Sequence, residues 1–127
     1  MKRAALLALT LGAALSCGEP SGPKAGLLKI ALTTPFSGSD GAVLLTVTGP
    51  APLTSLAAIP GLRVFTDTLG GPSTKVVVTG TLVSGVIAEI GVEDVGAVAQ
   101  YSATIVQVAA STYQLRATAG YSVSVVR

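Results

Sequence analysis

From Leu27 onward the chain is written in short apolar runs, most of them broken within about ten residues by glycine, proline or aspartate. This rhythm constrains the fold more than any other feature. A period of two puts one face of a strand on a core, and closely spaced turn residues leave little room for long helices. Leu28, Ile30 and Leu32 alternate with Lys29, Ala31 and Thr33. Near the C-terminus Tyr121, Val123 and Val125 alternate with Ser122 and Ser124.

Between these runs the same reading gives further strands. Ser37–Gly41 reads as a turn, with Asp40-Gly41 a hairpin signal, and Ala42–Thr48 follows as a nearly continuous apolar strand closed by Gly49-Pro50. Leu53–Ile59 fits a strand or a short helical turn, Arg63–Asp67 a short strand, and Lys75–Thr79 a strand with three consecutive valines. Val86, Ala88, Ile90 and Val92 share one face of another. Val95–Ala110 fits a helical stripe as well as a strand, but its β-branched Thr104, Ile105, Val106 and Val108 favour a strand bulged near Val106. Seven to eight strands at roughly ten-residue spacing predict an all-β fold, an antiparallel sandwich of residues 27–127, with a closed barrel as the rival.

A different kind of segment precedes the domain. Lys2 and Arg3 are followed by an uncharged apolar run, Ala4–Leu15, and then by Ser16-Cys17-Gly18. A positive start, an apolar stretch and small residues before a cut site make residues 1–16 a signal peptide. As a helix the run would span roughly 18 Å, short of the ~30 Å hydrocarbon core, so it is a poor permanent membrane anchor. Ala14-Leu15-Ser16-Cys17 resembles the bacterial lipobox, although the family prefers leucine where Ala14 stands. The resemblance implies lipidation of Cys17, which would become the first residue after cleavage. Ala14 and Ser16 also fit the small-x-small pattern of ordinary signal peptidase, which would cut the same bond. Residues 17–26, rich in Pro, Gly and Ser, then read as a lipidated cysteine and flexible tether. By resemblance to the sorting pattern of Gram-negative lipoproteins, Gly18 rather than aspartate after the cysteine implies the outer membrane if the host is Gram-negative.

Composition removes several functions. Lys2 and Arg3 belong to the leader, so the rest carries six basic and six acidic residues and is near neutral. No basic face remains to neutralise phosphates, and nucleic acid is not an expected partner. Histidine is absent and Cys17 is the single cysteine, so imidazole or thiolate metal sites and triads with a histidine base have no residues to use. Tryptophan is absent too, which weighs against a sugar-stacking platform.

The carboxylates offer little more. Glu93-Asp94 is the one adjacent acidic pair; on a strand its side chains point to opposite faces. In a loop they would suit a calcium ion together with backbone oxygens, or simply be solvated turn charges. Asp40 reads as turn chemistry and Asp67 as a strand-end charge. Brought together by the fold, those two would be the pair to consider for glycoside hydrolysis, though nothing in their spacing asks for it. Tyr101, Tyr113 and Tyr121 are further candidates for a cluster at one edge. No catalytic, cofactor or metal site is assigned, and an enzyme is not expected.

Asp40–Val47, Val76–Gly80 and Gly85–Ile90 together resemble the strands of small exported bacterial lipoproteins and, more distantly, of cohesin-like or immunoglobulin-like sandwich domains. The resemblance spans about Leu27 to Arg127 and rests mostly on strand patterning. Cohesins bind dockerin partners through one sheet face, and this chain has no motif marking such a face. The expectation is therefore an extracytoplasmic, cell-envelope lipoprotein that meets the lipid bilayer through acylated Cys17 and binds an unknown extracytoplasmic protein without catalysis. The alternatives are a structural lipoprotein that self-associates and a carbohydrate-binding module. Because Ala42–Thr48 and Lys75–Thr79 are apolar on both faces, a contiguous apolar patch on an outer sheet would separate the first two.

Overall fold

The computed structural model describes residues 22–67 and 69–127. Residues 1–16 and Cys17, on which the leader and lipidation readings fall, lie outside them.

Among the described residues nine strands form two antiparallel sheets stacked as a sandwich. In chain order they are β1 Gly26–Thr33, β2 Asp40–Thr48, β3 Ser55–Ala58, β4 Arg63–Thr66, β5 Ser73–Leu82, β6 Gly85–Val92, β7 Ser102–Ala110, β8 Leu115–Arg116 and β9 Ser122–Val126. One sheet has the order β3-β6-β1-β9 and the other β4-β5-β2-β7-β8. The predicted all-β sandwich is therefore the fold. Among the described residues no helix is long and apolar enough to cross a membrane.

Period-two patterning accounts for the core. Leu28, Ile30 and Leu32 of β1 face Val43, Leu45 and Val47 of β2 across the sandwich, joined by Val76, Val78, Ile90 and Val92, all at most 2 % exposed. At about 1.5–3 kcal/mol for each fully buried aliphatic side chain, this layer is the main favourable term holding the sheets together.

Three local readings change. Asp40-Gly41 does not turn a hairpin: β1 pairs with β6 and β9, whereas β2 pairs with β5 and β7, so the β1–β2 connection crosses between sheets. Val95–Gln100 is not strand but 3-10 helix, started by Asp94, whose Oδ1 accepts the Gly96 N–H at 2.9 Å. The strand begins at Ser102, and its predicted bulge is present: Leu44 registers with Gln107 and Leu45 with Ile105, leaving Val106 unmatched. Finally, β8 is a two-residue strand with no counterpart in the periodicity reading.

The sandwich has two distinct ends. At one, the Lys24 carbonyl accepts the Val95 N–H and the Tyr101 ring packs on Gly49. This is where β1 starts and β9 finishes. At the other end the β1–β2 loop meets the β5–β6 and β7–β8 turns: Gly38 N–H donates to the Leu82 carbonyl, Ser84 N–H to Ser37 Oγ, and Ser111 N–H to the Ser39 carbonyl. The chain thus enters the domain at the end opposite these turns.

Candidate functional site

Asp40 is the most unusual residue of the domain. Simple alternation back from the inward-facing Val43 would put Asp40 on the solvent side of β2. The register shifts at Gly41, however, where Asp40 pairs with Leu82 and Ala42 with Thr79. That bulge turns the Asp40 side chain inward, and the residue is 0 % exposed. The reading of Asp40 as turn chemistry is corrected accordingly.

A buried carboxylate must be matched by charge and hydrogen bonds. Arg116 Nε lies 2.9 Å from Asp40 Oδ1, and Tyr121 donates its hydroxyl to the same oxygen at 2.9 Å. Thr34 donates its hydroxyl to Oδ2. The Arg116 Nε–H makes no aligned hydrogen bond, so that pair is held by charge attraction rather than by a directed N–H···O contact. The Arg116 guanidinium also sits 4.1 Å above the centre of the Phe36 ring, and its Nη2 donates to the Ser39 carbonyl at 3.5 Å. Burial raises the Tyr121 hydroxyl above its usual range, with a further push from Asp40, so the phenol remains protonated as a donor.

This network is structural in its geometry. It ties β1, β2, β8 and β9 together, and through Arg116 it fixes the β7–β8 turn. It has no second carboxylate with which to share a proton. Asp67, the other member of the candidate pair, accepts the Lys75 N–H at 3.3 Å. Lys75 registers with Thr46, six residues along β2 from Asp40, which separates the two acids by roughly 20 Å at about 3.3 Å per residue. Glycosidic carboxylates sit about 5–10 Å apart, so the fold does not assemble this pair. Asp94 is occupied in capping, Glu93 is exposed beside it, and the described residues hold no cluster of three or more metal-ligating side chains. The tyrosines are not gathered either. Tyr101 is buried at the end where the chain enters, raised in pKa by burial and then by Glu93 and Asp94; Tyr113 is 93 % exposed at the other end; Tyr121 is bound to Asp40.

What the network does position is a surface. The outer face of the five-stranded sheet carries two cross-strand rows. Arg63, Thr79, Ala42, Ala109 and Leu115 register along one, and Phe65, Val77, Leu44 and Gln107 along the next. Phe65 is 54 % exposed and Leu115 70 % exposed, with Val106 also open at its bulge. Between the large side chains the floor is made of small ones. A hollow of about 530 Å³ opens over Gly41, Ala42, Gly80 and Ala109, with Tyr113 at its rim. A second hollow of about 190 Å³, over Leu44, Val77 and Gln107, shares Ala42 and Ala109 with it. The glycines have local reasons to be there. A Cβ on Gly41 would press on the backbone of Ser111, and Gly80 has φ +128° with Leu62 packed against it.

The outer face of the four-stranded sheet differs. Lys29 and Glu89 register opposite one another, and Ser55, Ser122 and Ser124 are exposed around them. Its exposed large apolar residues, Leu27 and Val126, lie toward the end where the chain enters. Sequence reasoning found the double-sided apolar character of β2 and β5 but not Phe65 or Leu115, which sit in strands too short to show a period.

Comparison with protein-family models, curated proteins and solved structures returned no match to this chain.

Proposed function

We propose that this chain is an extracytoplasmic, lipid-anchored module that binds another protein without catalysis, using the outer face of its five-stranded sheet. The observation that carries the reading is the contrast between its two outer faces. One pairs Lys29 with Glu89 among exposed serines and keeps its large apolar residues, Leu27 and Val126, toward the end where the chain enters; the other presents Phe65, Leu115, Val77 and Leu44 around a floor of small residues. Contiguous exposed apolar surface of this kind marks interaction sites on soluble domains, and bulky side chains around a hollow suit a partner's anchor residue.

The direction of the chain is compatible with the anchor. It enters the domain at the end remote from the β7–β8 turn, so a flexible tether from acylated Cys17 would attach at the end away from the larger hollow. More than one acyl chain is needed for stable attachment, as the lipobox resemblance implies. Radioactive palmitate should label the wild type and not Cys17→Ser; label retained on the variant would remove the anchor from the proposal.

The charges of this face favour a different protein over a second copy. Arg63 and Lys75 are its outward charges on strands β4 and β5, and a second copy would offer no outward acid from the strands of this face to pair with them, since their one acid, Asp40, is buried. Brief formaldehyde crosslinking in the native host should trap the wild-type chain on a distinct protein, and the double variant Phe65→Ser, Leu115→Ser should lose that adduct. An adduct indifferent to both substitutions, or a homodimer alone, would contradict the reading.

A further inference from the structure

We infer that the partner presents an acidic segment, seating a bulky apolar side chain in the hollow over Ala42 and Ala109 and a carboxylate on Arg63. The inference rests on the docking face proposed above and specifies its occupant.

The first support is register. Arg63 stands opposite Thr79, Thr79 opposite Ala42, Ala42 opposite Ala109, and Ala109 opposite Leu115. One row across the sheet therefore runs from a cation, over the floor of the hollow, to an exposed leucine. Strands lie about 4.8 Å apart, so Arg63 stands roughly 10 Å from Ala42, and the guanidinium and the hollow are within reach of residues a few positions apart in one bound segment. The second support is charge. The five strands of this sheet contain a single acid, Asp40, which is buried and matched by Arg116. Asp67 follows β4, but its carboxylate is turned to the Lys75 backbone, two rows from the hollow. Among the described residues no carboxylate pairs with Arg63, and Lys75 extends the same sign along the face. The loops at the hollow's end, residues 34–39, 83–84 and 111–114, carry no charge. A cation beside an apolar hollow with no local counter-charge is complementary to a carboxylate next to an apolar anchor. Arginine adds a planar fork that donates two parallel N–H···O bonds to a carboxylate.

The test is a phage-displayed library of random twelve-residue peptides, panned against the full chain in detergent micelles. Enriched peptides should carry an aromatic or branched aliphatic residue flanked by Asp or Glu. Their affinity should fall at least tenfold with Arg63→Glu, remain within a few-fold with Arg63→Lys, and weaken as salt rises. Replacing the peptides' acids with lysine should restore binding to Arg63→Glu. These positions are exposed, so unchanged thermal unfolding and an unaffected Ser124→Glu control establish that the fold is intact. Peptides that depend on Phe65 and Leu115 but are neutral or basic, and ignore Arg63→Glu, would overturn the acidic partner while leaving the docking face standing. Peptides that depend on none of these residues, or no enrichment at all, would overturn both. So would a dimer of the full chain that dissociates on Phe65→Ser, which would make a second copy the occupant.

Discussion

Two buried polar residues separate stabilising from destabilising polarity in this core. Asp40 is fully enclosed yet satisfied by Thr34, Tyr121 and Arg116. Asp40→Ala would leave the Arg116 charge without its partner and should cost about 3–5 kcal/mol, read from the urea midpoint. Thr74 is the opposite case. It is 1 % exposed and its hydroxyl has no partner among the described residues. Thr74→Val keeps the shape and removes an unsatisfied group, so it should stabilise the domain by about 1–2 kcal/mol in the same assay. Neither role was legible in the sequence. Asp40 before a glycine is a turn signal to any local reading, because two of its partners, Arg116 and Tyr121, are brought to it by strands from the far end of the chain. The bulge at Gly41 also reverses the side that alternation assigns to it.

At the scale of elements, legibility followed the range of the interactions that define each one. Strands β1 and β9 declare themselves because each buries one face, and burial writes a period of two into the residues themselves. Strands β2 and β5 show instead as apolar runs bounded by turn residues, and β6 keeps the period only in part, since a register shift opposite Ile30 and Ala31 buries Ile87 and Ala88 together. The bulge at Val106 was legible for the same reason, as a break in that period. The 3-10 helix was not. Its apolar spacing suits either structure, and the deciding signal, Asp94 as a cap ahead of Gly96, is one side chain long. Pairing partners escaped as well: β1 joins β6 and β9, and no local feature distinguishes that choice from a hairpin with β2. Where the 3-10 helix gives way to β7, the Tyr101 ring lies directly on Gly49, and a Cβ there would overlap it. Gly49→Ala should therefore displace Tyr101 and destabilise the domain by about 1–3 kcal/mol, visible as a lower thermal midpoint.

For the whole molecule, the sandwich and its unequal faces are the features that bear on function. The all-β class follows from patterning, and so does the two-sided apolar character of β2 and β5. The placement of Phe65 and Leu115 on that same face depends on edge strands of four and two residues, which only the assembled sheet locates. The Asp40–Arg116 pair connects the two scales, since it fixes the turn that carries Tyr113 to the rim of the larger hollow and leads into Leu115 beside the smaller one. The central claim is that this face, and not its opposite, meets a partner. Site-specific photo-crosslinking in the native host tests it most directly, with the crosslinking residue placed at Phe65 or Leu115 in one set of cells and at Ala57 or Ser124 in another. Adducts with one distinct protein from positions 65 and 115, and none from 57 and 124, are the predicted result. Adducts from 57 and 124 with none from 65 and 115 would contradict it.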